Sequence, residues 1–211
     1  MPLLSGGTDQ RLQSPPNSDQ LELTIFGAGV GESILIHLGG QNWIVIDSLL
    51  YGHNENPPTL EYLHLLNLEP SVVLRLIVAT HWHDDHIRGL RRILAAAPSS
   101  RFIASAALGK EEFIASVSQY ESKHRLAAGS GVRELYEIQR SLGSRPVTRA
   151  LQNRPVLFLP AGESGYGCNC TVTTLSPSDA QFQKFLEELT VLMPDLQQLR
   201  RRSYGQKLVT A

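Results

Sequence analysis

Alternating hydrophobic and polar positions between residues 21 and 47 predict three short β-strands in quick succession. Apolar side chains recur at every second position over 21–26, and the same period of two is seen over 33–38. Gly39 and Gly40 then form a predicted turn into an apolar run over 43–47. Strands joined by such short connections are typical of an antiparallel meander.

From residue 58 onward the pattern predicts helices and strands in alternation. A helix is predicted over 58–68, and the nearly all-apolar run 72–79 predicts a strand that is covered on both faces. An apolar stripe from Ile87 to Leu94 predicts one continuous helix after that strand. Further strands are predicted over 101–105, 156–159 and 168–175, and further helices over 108–122, over 132–142 and after Ser176. Together these elements indicate an α/β fold.

Composition and charge reduce the number of functions that this chain is expected to have. Of the 211 residues, 42% are apolar, which is enough to bury a sizeable core in a domain over 21–211. Residues 1–20 are mostly small or polar and are predicted to form a disordered tail. The net charge of −1 does not indicate a nucleic-acid partner, although a short single strand stays open. No apolar run approaches the roughly 18 residues of a membrane span, which argues against a membrane protein.

The cysteines and the N-terminal residues favour a cytoplasmic location. Cys168 and Cys170 are two residues apart on a predicted strand, which separates them by about 6.6 Å, near the upper limit for a disulfide. Free thiols in a reducing cytoplasm are therefore expected. The first seven residues show neither the charged region nor the apolar region of a secretory signal.

Three histidines and two aspartates lie within residues 81–86, directly after the predicted buried strand. His81 and His83 are two apart in extended backbone, so both imidazoles leave the same side of the chain. Asp85 and His86 follow where the chain turns into the next helix. Imidazole and carboxylate groups suit zinc, and ligands collect at the carboxyl ends of sheet strands. The pattern predicts a site for one or two Zn²⁺ ions.

The segment His81-Trp82-His83-Asp84-Asp85-His86 resembles the HxHxDH signature of the metallo-β-lactamase-fold hydrolases. Residues 29–36 resemble the opening hairpin of that family, and 44–47 its third strand, which ends in aspartate. The resemblance covers about residues 21–105 and is closest to the hydrolase-like domain of bacterial DNA-uptake competence proteins and their soluble relatives. It implies an αββα four-layer sandwich, here without its C-terminal strands, and a helical insertion at about 108–151.

The resemblance also implies roles for particular residues. His81 and His83 would bind one metal ion, and Asp85 and His86 the other, while Asp47 would hold the histidine loop in place. A metal-bound hydroxide would attack a carbonyl carbon or a phosphorus atom, and Asp85 would help to orient it as a catalytic residue. The expected substrate is a small molecule or a phosphoester, with phosphodiester cleavage favoured over amide or thioester hydrolysis.

The sequence departs from the family pattern after the motif. His124 is the only histidine beyond residue 86, no Gly-Asp pair occurs, and Arg88 stands where the family commonly has glycine. Two functions therefore stay open: a zinc-dependent hydrolase, and a non-catalytic binding or regulatory module that retains half of the metal site. Strand edges without the later strands predict self-association as well.

Overall fold

The computed structural model describes residues 14–27, 31–51, 56–81, 83–105, 131–142, 145–178, 180–184 and 187. The strands in these ranges form a six-stranded sheet and a two-stranded sheet. The larger sheet contains β1 (Leu21–Phe26), β2 (Ser33–Leu38), β3 (Trp43–Ile46), β4 (Leu74–Ala79), β5 (Arg101–Ser105) and β6 (Val147–Ala150), and the smaller one β7 (Arg154–Leu159) and β8 (Cys170–Thr174). The helices are α1 (Pro58–Leu65), α2 (Pro70–Val73), α3 (Asp84–Ile87), α4 (Leu90–Ala96) and α5 (Gly131–Leu142).

The large sheet is antiparallel at one side and parallel at the other. Strands β1, β2 and β3 pair antiparallel in sequence order, which confirms the predicted meander. Strands β3, β4, β5 and β6 pair parallel, so each connection crosses over through helical or loop segments. The carboxyl ends of β3 and β4 consequently meet at one edge of the sheet, where Ile46 pairs with Val78.

Apolar residues cover both faces of the large sheet. On one face, Leu35 and Ile77 pack with helical residues such as Leu63, Ile93 and Ile138, all of which are fully buried. The other face carries a second cluster, in which Ile44, Leu76 and Ile103 pack against Val156 and Leu159 of β7. This mixed α/β arrangement of a central sheet and helices is the fold class predicted from the sequence.

The predicted helix after the histidine motif is broken in two. Gly89 separates α3 from α4 and has a φ of 86°, a left-handed conformation that L side chains rarely adopt. A Cβ atom on this residue would lie 2.7 Å from Leu50 Cδ2 and 2.9 Å from Pro57 Cγ. The apolar stripe from Ile87 to Leu94 is buried as predicted, but the left-handed backbone at Gly89 interrupts the helix.

The structure describes parts of two segments whose bounds were predicted from the sequence. The predicted disordered tail includes residues 14–20, yet the Ser18 carbonyl accepts a hydrogen bond from Gly40 N at 2.7 Å. This backbone hydrogen bond connects the described part of the polar segment to the β2–β3 turn. The helical insertion predicted over 108–151 ends in a strand, since β6 pairs with β5. Within it, the predicted helix 132–142 is confirmed as α5, whereas 108–122 lies outside the described residues.

Long apolar helices are absent from the described ranges. No helix there combines the length and the hydropathy that a membrane crossing requires.

Candidate metal centre

The candidate centre lies where β3 and β4 end side by side. Asp47 follows β3 directly, and Thr80 and His81 follow β4. The Asp47 N–H donates to the Val78 carbonyl at 2.8 Å, which extends the parallel pairing by one residue. Asp47 has a φ of 58°, an unfavourable value for a residue with a Cβ atom. The turn holds the carboxylate of Asp47 beside the start of the histidine motif.

The buried carboxylate of Asp47 joins the ends of both strands to the motif. Its Oδ1 accepts from Thr80 N at 2.7 Å, and its Oδ2 accepts a short hydrogen bond from Thr80 Oγ1. The same Oδ2 lies 3.0 Å from Nδ1 of His86. Asp47 thus contacts the histidine loop. The family resemblance implies that Asp47 holds this loop in place.

These bonds fix the tautomers of two imidazoles while Asp47 is ionised. An ionised carboxylate only accepts, so His86 Nδ1 must carry the proton that it shares with Asp47. Thr80 Oγ1 gives its own proton to Asp47, so it accepts from His81 Nδ1, which lies 2.9 Å away. In both rings the remaining nitrogen, Nε2, keeps its lone pair free for a metal ion.

The predicted ligands converge. The ring centroids of His81 and His86 are 4.0 Å apart, and those of His81 and His83 are 5.0 Å apart. Two groups of donor atoms each lie within 4.8 Å of one another: one from Asp47, His81 and His86, the other from His81, His83 and Asp85. This grouping differs from the implied pairing of His81 with His83 and of Asp85 with His86, because His81 belongs to both groups.

The electrostatics of the cluster suit a divalent cation. Burial lowers the pKa of His81, and the neighbouring His86 lowers it further, which favours the neutral imidazole that metals bind. Burial raises the pKa of the Asp47 carboxyl above its usual value, and the hydrogen bonds from Thr80 and His86 partly offset that rise. Imidazole nitrogens and carboxylate oxygens at this spacing form the donor set that zinc takes in proteins.

Backbone bonds from distant segments hold the carbonyl groups of the motif. Glu32 N donates to the Asp85 carbonyl at 3.0 Å, and Ser48 N donates to the His86 carbonyl at 2.8 Å. The hydroxyl of Ser48 donates to the Arg88 carbonyl at 2.9 Å. Neither Thr80 nor Ser48 was predicted as a site residue from the sequence. Their positions, one residue before His81 and one after Asp47, are the signal that could have found them.

Helix α5 supports the helices that follow the motif. Glu134 Oε1 accepts from Arg91 N at 2.9 Å and so satisfies a free N–H in the first turn of α4. Glu137 forms ion pairs at 3.1 Å with both Arg91 and Arg133. Burial raises the pKa of Glu134, and hydrogen bonds from the Arg91 and Gly89 N–H groups oppose that rise. The remaining histidine beyond the motif, His124, lies outside the described residues.

A comparison with models of known protein families identifies the family of this chain. A family model described as "Metallo-beta-lactamase superfamily" matches residues 26–137 of the chain, which include all of the residues of the candidate centre. No curated protein matches the chain.

Several solved structures are similar to parts of the chain. A metallo-beta-lactamase from Cronobacter sakazakii, a mutant of its HARLDQ motif, is 28% identical over 42% of this chain and 36% of its own, with a TM-score of 0.32. The metallo-beta-lactamase SMB-1 bound to 2-mercaptoethanesulfonate is 16% identical over 69% of this chain and 51% of its own, with a TM-score of 0.42. Rm3 metallo-beta-lactamase is 20% identical over 47% and 37%, with a TM-score of 0.33. The chain spans about a third to a half of the length of these enzymes.

Proposed function

The chain belongs to the metallo-β-lactamase superfamily, and on that premise we propose that it is a zinc-dependent hydrolase. The observation that supports this proposal is the convergence of five side chains at the edge of the sheet where β3 and β4 end. Their donor atoms form two overlapping groups of three, each within 4.8 Å. The partly buried imidazoles of His81 and His86 have fixed tautomers, and the pKa of His81 is lowered, so both rings are arranged for a cation before it binds.

Each side chain has a distinct proposed task. His81, His83, Asp85 and His86 hold the metal, and Asp47 orients His86 directly and His81 through Thr80. A zinc ion held by these residues would supply a nucleophilic water at neutral pH and would polarise the scissile bond. The carboxylate Oδ2 of Asp85 lies 3.6 Å from His86 Nε2, and as the catalytic residue Asp85 would orient the attacking water.

Phosphodiesters are the proposed substrate class. The support is the resemblance of residues 29–36 to the competence-protein branch, in which a glycine, an acidic residue and a serine precede an apolar strand. In this chain those residues are Gly31, Glu32 and Ser33. Ser33 is fully buried, and its hydroxyl donates to the Asp47 carbonyl at 3.0 Å, so the segment reaches the candidate centre. Amide and thioester hydrolysis are the other reactions to test, because the fold does not fix the substrate.

A second candidate is a binding or regulatory module that holds a metal without turnover. In the ranges that the structure describes, the donor groups that could hold an ion come only from Asp47 and the 81–86 motif. A site whose donors come only from these residues has fewer ligands for a second ion. This observation favours the module if the chain retains metal but hydrolyses nothing.

We also propose a cytoplasmic location and self-association through β1. Cys168 and Cys170 are free thiols, which fit a reducing compartment. Strand β1 is an edge of the large sheet, and its residues Leu21, Leu23 and Ile25 expose 56% to 67% of their surface. An exposed apolar edge strand is prone to pair with another chain.

Metal content and hydrolysis, measured on the same preparations, test the proposal. We expect one or two equivalents of zinc in the purified protein and cleavage of bis(4-nitrophenyl) phosphate. His83→Ala should lose both, whereas His64→Ala, which removes an exposed histidine of α1, should retain both. Zinc without cleavage of phosphodiester, thioester or amide probes would support the binding module. A wild-type protein that takes up no zinc would contradict both candidates.

A further inference from the structure

A second polar cleft lies far from the candidate metal centre. It has a volume of about 540 Å³ and is lined by residues from the starts of β4 and β5 and from β6 and β7. Arg75 near the start of β4 and His81 after its end are six residues apart, which is about 20 Å of extended chain. The cleft and the metal centre therefore occupy opposite edges of the same sheet.

Three arginines line this second cleft: Arg75, Arg101 and Arg145. Here we call it the arginine cleft. Each guanidinium is held by a neutral acceptor. Arg75 Nε donates to Asn42 Oδ1 at 2.9 Å, and Arg101 donates a short bond to the Val156 carbonyl. Arg145 donates to carbonyls around the C-terminal end of α4, including that of Ala97 at 3.2 Å. Neutral acceptors position the three groups without cancelling their charge.

The anchor of Arg75 is rigid. Asn42 is only 2% exposed, and its amide nitrogen donates to the Gly39 carbonyl at 2.9 Å and to the Glu163 carbonyl at 2.6 Å. Both hydrogens of the amide are thus in use, which turns its oxygen toward Arg75. The two terminal nitrogens of Arg75 have no hydrogen-bond partner among the described residues and stay available to a ligand.

The charge of the cleft is unbalanced. Glu163 also lines it, but no carboxylate in the described ranges forms an ion pair with Arg75, Arg101 or Arg145. Three guanidinium groups and one carboxylate leave a formal charge of +2. Guanidinium groups bind phosphate and carboxylate oxygens through paired N–H donors.

The walls add an apolar surface to this charge. Leu157, Phe158 and Leu159 of β7 line one side, and Phe158 is 57% exposed. A volume of about 540 Å³ lies within the range of small-molecule sites, roughly 300 to 1,000 Å³. We propose that the arginine cleft binds a phosphate monoester carried on an apolar or aromatic body. Its dianionic group would match the +2 charge, and its body would pack on Phe158.

Titration of the full chain with phenyl phosphate tests this proposal, with amide chemical shifts as the readout. The experiment is run in EDTA so that the metal centre cannot bind the anion. We expect saturable binding with shifts around Arg75, Arg101 and Phe158, and no saturation with phenol. Arg75→Gln should weaken binding about tenfold or more, as should Arg101→Gln, because each loses a charge-assisted contact.

Arg154→Gln is the matched control, since Arg154 is an exposed arginine of β7 that does not line the cleft. Its affinity should stay within about twofold of wild type, because it loses only a solvent-screened charge that does not line the cleft. Equal weakening by Arg154→Gln and Arg75→Gln would reduce the effect to general electrostatics and overturn the proposal. Binding that Arg75→Gln and Arg101→Gln leave unchanged would overturn it as well. A circular dichroism spectrum of each variant verifies that it is folded.

Discussion

The two edges of the large sheet at which the parallel strands begin and end carry side chains of opposite charge preference. After β4, imidazoles and carboxylates gather around Asp47, with donor atoms within 4.8 Å of one another. Near the start of β4, Arg75 joins two other arginines around a cleft with no ion-paired carboxylate in the described ranges. The first edge is arranged for a cation and the second for an anion. Parallel strands make this possible because every carboxyl end lies at one edge and every amino end at the other.

Helix α4 connects the two edges, and each of its ends is held by a side chain from another segment. Glu134 of α5 accepts from the Arg91 N–H group near its start. Arg145 donates to carbonyls at its end, including Leu94 at 3.4 Å and Ala97 at 3.2 Å. A carboxylate at the N-terminus and a guanidinium at the C-terminus both complement the helix dipole. The two edges can thus be perturbed separately through the two ends of one helix.

Removal of metal should have the largest effect, and only at one edge. Dialysis against EDTA is expected to abolish hydrolysis of bis(4-nitrophenyl) phosphate, and added Zn²⁺ should restore it. Phenyl phosphate binding in the arginine cleft should not change, since no residue of the cleft belongs to the metal cluster. Loss of both functions after chelation would show that the two edges are not independent.

Thr80→Val should have the next largest effect, again confined to the metal edge. Without the hydroxyl, Asp47 loses a hydrogen bond and His81 Nδ1 loses its acceptor. Loss of such an orienting partner lowers zinc affinity by about 10- to 100-fold. Competition with a chromogenic chelator measures the affinity. Thr80→Ser keeps the hydroxyl and should bind zinc like wild type; equal zinc affinities for Val and Ser variants would contradict the role assigned to the hydroxyl.

Arg145→Gln should destabilise the fold by about 1–3 kcal/mol, because carbonyls at the end of α4 lose their donor. Urea unfolding followed by circular dichroism measures this change. Zinc content should stay at the wild-type level, since the far end of α4 remains capped by Glu134. An Arg145→Gln protein as stable as wild type would mean that water satisfies these carbonyls equally well.

The smallest effect is a pH dependence from Glu134. Its folded-state pKa is raised by burial, so its contribution to stability is present at low pH and is lost as pH rises through that pKa. Glu134→Gln keeps an oxygen to accept from Arg91 but cannot ionise. Between pH 4 and pH 7, the stability of the variant should therefore rise relative to wild type in urea unfolding. A difference that stays constant over this range would contradict the raised pKa.

The candidate ligands at the metal edge could be predicted from the sequence because most of them are adjacent in it. His81, His83, Asp85 and His86 lie within six residues, and the nearly all-apolar run before them predicts the strand that places them at the sheet edge. Asp47 was identified at the end of the third strand through the family pattern. Thr80 was missed because a threonine after a strand is common, and its two hydrogen bonds to Asp47 depend on the pairing of β3 with β4.

The arginine cleft could not be predicted in the same way. Arg75, Arg101 and Arg145 belong to three separate segments, and each alone is an ordinary polar position. They meet because β4, β5 and the segment before β6 are aligned in parallel, a pairing that local periodicity does not specify. Strand β6 itself was missed, since three of its four residues are exposed and its short sequence shows no alternation of burial.

The start of the helix near Ser178 depends on a pair of residues and not on one favourable residue. The sequence pattern predicts a helix start at Ser176, but the capping bonds form two residues later. Gln181 N donates to Ser178 Oγ at 3.2 Å, and Ser178 N donates to Gln181 Oε1 at 2.9 Å. Both serines fit the capping rule, and only the spacing to glutamine distinguishes Ser178. Reciprocal bonds of this kind decide a helix start more reliably than one favourable residue.

X-ray absorption at the zinc edge of the zinc-loaded chain tests the assignment of the metal centre most directly. We predict a shell of nitrogen and oxygen atoms at about 2.0–2.1 Å with the outer-shell scattering of at least two imidazoles, and loss of zinc in His83→Ala. Sulfur scatterers at about 2.3 Å would instead place zinc on Cys168 and Cys170 and contradict the assignment.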